Sequence, residues 1–251
     1  MNATLTFRNV HDLDPKLAAS LLSWGMALAD SKYFLGRRLS EWVNGAPTLE
    51  AAVGAAAMTQ DELGHARSLY AMVREFPGAP NELGTENDLQ RAAYFAPAAL
   101  MQPWDSWTDV VAVNVLFDRA LSLVFAAASE SSFGPLKQRA AKVLQEEHFH
   151  RIFGDTWLAR LADSDEKTKN KLRGGLEKAW SLAEAWIGPG DDSVTNPLVE
   201  ANVLTVSPKR LRLDWTESGG SLLAKLDLNI EPPQIGWSRW DPRRREVVSD
   251  A

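Results

Sequence analysis

The feature that most restricts this chain's fold is a pair of apolar stripes at helical spacing, each roughly 29 residues long, with only a few residues between them. Asp14 before Pro15 is an N-cap followed by proline at the first helical position. From there Leu17, Leu21, Leu22, Trp24, Leu28, Phe34, Leu35 and Leu39 carry the first stripe to Asn44-Gly45. The second begins near Thr48 and runs through Met58, Leu63, Leu69, Tyr70 and Val73 to Pro77-Gly78. At 1.5 Å per residue each helix is about 43 Å long, which suits a helical bundle.

The pattern then repeats. Residues 78–105 form a long connection with Pro80, Pro97 and Pro103, and a short helix is expected at 87–95. Ser106, with Asp109 as a capping box, opens a third helix running to about Ser132. Pro135 starts a fourth that ends near Leu161, and Asp163/Glu166 opens a fifth through Trp186 to Gly188-Pro189-Gly190. Two antiparallel pairs joined by one long connection give the ferritin-like topology. The expected fold is therefore all-α: a ferritin-like four-helix bundle with a single long crossover, a fifth helix and an irregular C-terminal tail. Residues 1–190 would form the bundle and 191–251 an extension, with helical periodicity surviving at 208–217 and 221–228. The tail from 229, with Trp237, Trp240 and Arg243-Arg244-Arg245, reads as a strap packed on the bundle or as an arm for a partner.

Composition narrows the chemistry. The 251 residues include no cysteine, which removes disulfides, thiolate metal sites and cysteine nucleophiles together. A net charge of −6 argues against nucleic acid as a partner. No uninterrupted apolar run reaches membrane-spanning length and the N-terminus is polar, so no membrane is expected and the location would be cytoplasmic. Any metal must be held by His, Asp and Glu, and the chain has four histidines.

Three of those four lie in or beside two short motifs, Asp61-Glu62-Leu63-Gly64-His65 and Glu146-Glu147-His148-Phe149-His150. Each contains Glu-x-x-His, which places both ligands one turn apart on one helical face. Each sits on the second helix of its pair, as in dinuclear carboxylate centres, where the other two helices add one carboxylate apiece. Asp30 and Asp118 are the candidates: Glu62 follows Asp30 by 32 residues, and Glu147 follows Asp118 by 29. An acid within the apolar run around Asp118 is costly to bury unpaired. The plainer alternatives are that Asp30 is a solvated or helix-pairing acid and that Asp118 pairs with Arg119 or Arg67. His148 points to another face, and His11 precedes the first helix. Asp61 and Glu146 are candidates for the outer hydrogen bonds that orient metal-bound histidines, each reaching the histidine of the opposite motif.

The stretches Leu-Gly-Arg-Arg-Leu-Ser-Glu-Trp (35–42), Gln-Asp-Glu-Leu-Gly-His-Ala (60–66), Phe-Asp-Arg-Ala (117–120) and Glu-Glu-His-Phe-His (146–150) resemble the phenylacetyl-CoA epoxidase family of ferritin-like proteins. The resemblance covers roughly residues 15–187, with an echo at Trp215 through Gly220. It implies one of two kinds of bundle subunit. The catalytic kind carries a di-iron site and epoxidises the aromatic ring of an acyl-CoA thioester. The structural kind lacks the full ligand set and scaffolds the catalytic one. This chain resembles the structural kind at 35–42 and the catalytic kind at its two Glu-x-x-His motifs, where the structural kind typically has Gln in place of His65.

For the catalytic kind the resemblance implies Asp30, Glu62, His65, Asp118, Glu147 and His150 as ligands to two Fe ions, with Mn a possible substitute. The expected function is then a di-iron monooxygenase that activates O2 on an apolar, aromatic acyl-CoA-type substrate. Electrons would come from a separate electron-transfer reductase, and the chain would form a homo-oligomer or pair with a related bundle subunit. Phe34, Phe117, Phe125, Phe149 and Trp107 are candidates to line the substrate pocket. The alternatives are a non-catalytic scaffold subunit of such a complex, or a metal-oxidising or peroxide-handling protein on the same bundle.

Overall fold

The computed structural model describes residues 6–83, 91 and 93–248. Helix α1 (Pro15–Trp42) starts where Asp14 Oδ1 accepts the amides of Lys16 and Leu17. Helix α2 (Leu49–Val73) is capped by Thr48, whose hydroxyl accepts the Ala51 amide. The two lie side by side over most of their length. The third helix, α3 (Trp107–Ala128), pairs with α4 (Gly134–Ala162), which completes the ferritin-like bundle with its single crossover between α2 and α3.

The connection differs in detail from expectation. Most of the helix expected at 87–95 lies outside the described residues, and residues 93–95 are not helical; a single helical turn forms instead at Ala98–Met101. The Ser106 capping box does not form: Ser106 Oγ donates to the Asp109 carboxylate and caps no backbone amide. Within α3 the segment Val113–Asp118 is a π-helix. One extra residue per turn there rotates everything beyond it, a device common at functional sites. Asn114 in this segment lies so close to α4 that a Cβ at Gly154 would meet its Oδ1, so a larger residue there requires the Asn114 side chain to move.

By length and composition α3 would also serve as a membrane span, which the sequence reading did not anticipate because Asp109, Asp118 and Arg119 interrupt it. Its most apolar window is 78% buried within the protein, as befits a core helix. The fifth long helix, α5 (Glu166–Ile187), packs across α3 and is capped by Asp165; Asp163 instead ends α4.

The C-terminal region does not build a core of its own. A short α6 (Thr195–Glu200) and a single α7 (Pro208–Ala224), where two separate helical stretches were expected, bring Leu198, Leu211, Trp215 and Leu223 onto the bundle. Trp215 meets Trp180 of α5 at 6.1 Å between ring centroids. The tail carries a two-stranded antiparallel hairpin of β1 (Trp240–Asp241) and β2 (Glu246–Val247). Arg245 anchors it while completely buried. Its guanidinium donates to the Trp186 and Ile187 carbonyls and to Asp192, between the rings of Trp186 and Trp240. Glu246 accepts the Ala98 amide at 2.6 Å, so the tail also contacts the crossover.

Candidate metal centre and its lysine

Five of the six expected ligands converge in the middle of the bundle. Glu62 and His65 come from α2, Asp118 from the π-segment of α3, and Glu147 and His150 from α4; all are buried. His150 Nδ1 lies 3.2 Å from Asp118 Oδ2 and 3.5 Å from Glu62 Oε1. One ligand atom from each of Glu62, Asp118, Glu147 and His150 falls within 4.8 Å of the others, so this group could hold a metal ion.

The sixth expected residue is elsewhere. Asp30 accepts hydrogen bonds from Tyr70 Oη at 2.5 Å, from the Phe95 amide at 2.6 Å and from the Arg91 guanidinium. Burial raises its carboxyl above the usual range, against the opposing pull of Arg91. It therefore fastens the crossover to α1 and α2 and contributes nothing to the cluster. The helix-pairing alternative is nearer to what is seen, with the crossover's Arg91 as its partner.

In the place of a helix 1 carboxylate stands a cation. Lys32, fully buried, directs its Nζ to 2.5 Å from Asp118 Oδ1, 2.5 Å from Glu147 Oε1 and 3.1 Å from Glu62 Oε1. An ammonium has three N–H donors and no acceptor, and here each donor meets a carboxylate from a different residue. Burial alone would depress the lysine, but Asp118, Glu147 and Glu62 together hold it well above its ordinary value. Phe125 adds a ring 5.7 Å from Nζ. The signal for Lys32 was present in the stripe itself. Leu21, Trp24, Leu28, Leu35 and Leu39 step by three and four, and the missing step between Leu28 and Leu35 falls at Ser31 or Lys32, not at Asp30.

The electrostatics follow from that lysine. Burial pushes the Glu62 carboxyl up, but Lys32 and the two histidines outweigh it and hold it well below the usual range. Glu147 is raised to about 7 by burial and by the neighbouring Asp118 charge. Burial would lower His150, yet the neighbouring Asp118 and Glu62 carboxylates push it up to about 11. His65 is raised for the same kind of reason, chiefly by Glu62. The two-ion arrangement thus lacks its helix 1 carboxylate and already contains a cation.

The outer acids sit crosswise. Glu146 Oε2 is 2.7 Å from His65 Nε2, and Asp61 Oδ2 is 3.3 Å from His150 Nε2. Ser122 Oγ donates to Glu147 at 3.1 Å and Asn114 Nδ2 to Asp118 at 3.5 Å, two contacts the sequence reading missed because serine and asparagine on a helix carry no distinguishing spacing. A cavity of ≈ 440 Å³ between α3 and α4 reaches Asp118, Glu147 and His150, with Arg119, His148 and Arg151 also in its lining. None of the five aromatic residues expected there lines it: Phe117 and Phe125 are core, Phe149 is exposed, Phe34 meets Tyr94 edge-on, and Trp107 meets Trp157. His148 and His11 are exposed and apart from the cluster.

Comparison with known proteins places this geometry. Two different subunits of the 1,2-phenylacetyl-CoA epoxidase of Escherichia coli are similar to this chain. One is 25% identical over 214 residues, which is 85% of each chain. The other is 30% identical over 173 residues, or 69% of this chain. That second match covers 54% of the relative, so the chain spans about half of its length. The family model described as Phenylacetic acid catabolic protein matches residues 9–247, and the chain belongs to that family.

Proposed function

We propose that this chain is a non-catalytic bundle subunit of an oxygenase complex of the phenylacetyl-CoA epoxidase type, in which it supports a related metal-bearing bundle. One observation carries the reading: the ammonium of Lys32 lies 2.5–3.1 Å from three of the carboxylates that would otherwise hold metal. Three acids facing one another in a bundle core repel and must be neutralised. In this chain the charge comes from α1 itself. The four helices are thereby tied together whether or not metal is supplied, which is what a scaffold requires. Both relatives are subunits of an epoxidase, which supports assembly with a related chain.

A second reading is favoured by a different observation. Glu62 Oε2 and His65 Nδ1 face each other at 3.6 Å, and neither has a hydrogen-bond partner among the described residues. Unpaired buried atoms of this kind suit a ligand pair. In that reading Lys32 withdraws, iron or manganese enters, a separate reductase supplies electrons, and the ≈ 440 Å³ cavity admits part of an acyl-CoA substrate.

Anaerobic titration with Fe(II) or Mn(II), followed by desalting and elemental analysis, separates the two. The scaffold reading expects well under one ion per chain and no oxo-bridged absorption band after O2. Two ions per chain would overturn it in favour of the oxygenase.

A further inference from the structure

We infer that Lys32 alone decides whether this cluster takes its cation from its own chain or from solution, and that a carboxylate at position 32 turns it into a site for one divalent metal ion. The inference rests on the function proposed above, in which Lys32 stands where an ion would.

The geometry is that of an occupied cation site. Nζ sits among oxygens of Asp118, Glu147 and Glu62, and the imidazoles of His65 and His150 border the same space from opposite motifs, 6.2 Å apart. Nothing else in the cage is lysine-specific. The acids come from three residues on three helices, and the crossed partners Glu146 and Asp61 already bond the outer nitrogens of the two histidines. A lysine nitrogen is five bonds from Cα and a glutamate oxygen is four. A glutamate at the same position therefore ends about 1.5 Å short of Nζ, leaving room for an ion near the point that Nζ now fills.

Geometry selects the stoichiometry. Among the described residues, one ligand atom from each of Glu62, Asp118, Glu147 and His150 lies within 4.8 Å of the others, a single group that encloses one ion. Exchanging one ammonium for one carboxylate plus one divalent ion adds no charge to that group. Four carboxylates with imidazole nearby form a hard N/O donor set, suited to Mn(II), Fe(II) or Co(II). The cavity reaching Asp118 and Glu147 gives such an ion a way in.

The test compares full-length wild type, Lys32→Glu and Lys32→Gln, each equilibrated with Mn(II), Fe(II) or Co(II), desalted, and measured for metal content and for melting with and without chelator. Wild type is expected to hold no ion and to melt at the same temperature throughout. Lys32→Glu is expected to hold one ion per chain and to melt roughly 5–10 °C higher at a hundredfold excess over the dissociation constant, an increase that chelator removes. Lys32→Gln lacks both the ammonium and the new ligand and is expected to bind more weakly than Lys32→Glu. If Lys32→Glu is unfolded without metal, recovery of its helical circular dichroism on adding the ion supports the inference; no recovery with any of the three metals overturns it. A folded Lys32→Glu as metal-free as wild type overturns it while leaving the proposed function standing. Metal bound by wild type instead removes the proposed function and, with it, the lysine's deciding role.

Discussion

Asp30 and Lys32 are two residues apart on α1, both charged and both buried, and they hold different parts of the molecule. Two steps along a helix turn a side chain by about 200°, so one faces the crossover and the other the bundle axis. Asp30 is an acid served by one cation, Arg91, which reaches in from the connection between the helix pairs. Lys32 is a cation served by three acids on the three other bundle helices. The first is a latch between a loop and a helix. The second is a hub that joins all four bundle helices through one ammonium. The middle of α1 is buried from Trp24 through Tyr33 because the crossover and α6 cover its outer side. Burial alone therefore cannot tell hub from latch; only the partners do.

Removing each partner should expose the difference. Lys32→Met leaves three buried acids without their cation, and its cost is expected to be the largest in the molecule, about 3–5 kcal/mol. Urea unfolding followed by circular dichroism reads it directly, and a loss under about 1 kcal/mol would mean that the cluster is not held by Lys32. Asp30→Asn keeps an acceptor for the Phe95 amide but strands the Arg91 charge, at about 2–3 kcal/mol. Because that damage is local, limited proteolysis should open the 78–105 connection while leaving the α1–α4 helices protected. Equal protection of connection and bundle would erase the distinction between latch and hub.

The same contrast shows what the sequence made legible. The helix pairs, the crossover and the convergence of Glu62, His65, Asp118, Glu147 and His150 follow from periodicity and from the two Glu-x-x-His spacings, both local properties. Asp30 matches a helix 1 ligand only by its type and its approximate distance from Glu62. The stripe Leu21-Trp24-Leu28-Leu35-Leu39 carries a different message, since its core position near 32 is a lysine, and a lysine is ordinarily placed on the surface. Partners remote in sequence decide such cases: Arg91 lies 61 residues beyond Asp30, and Glu147 lies 115 residues beyond Lys32. The π-segment at Val113–Asp118 carries no sequence signal either, since its residues keep the apolar run of the helix around it, and Asn114 within it lies against Gly154 on another helix.

Proton linkage gives the hub a pH signature. Glu147 is held at about 7, above its ordinary value of 4.5, so the folded state binds this proton more tightly than the unfolded chain does. Its effect is a loss of stability as pH rises from 4.5 to 7, by at most about 1.4 kcal/mol per pH unit. His150 has its folded value raised to about 11 from 6.5. Its contribution is complete below pH 6.5 and disappears as pH rises through 11. Glu62, held low, acts the other way, and its contribution is lost as pH falls below 4.5. Stability should therefore decline from pH 5 towards alkaline pH, and Glu147→Gln should flatten the part of the slope below pH 7. An unchanged slope in that variant would assign the dependence to other groups.

The smallest effect expected belongs to the rim of the hub. Glu146 bonds His65 Nε2 at 2.7 Å, but its side chain is 34% exposed, so solvent screens much of the attraction. Glu146→Gln keeps an acceptor at that nitrogen and removes only the charge, for which about 0.5 kcal/mol of stability is expected. The more telling readout is the histidine's own titration, followed by NMR. His65 owes its raised value first to Glu62, with Glu147 adding to it, and Glu146 is not among its principal causes. The His65 titration should therefore move little in Glu146→Gln and fall clearly in Glu62→Gln, where the inner carboxylate is gone. A larger fall in Glu146→Gln would place the control of His65 at the rim, and the cluster would then be organised from its surface inward instead of around Lys32.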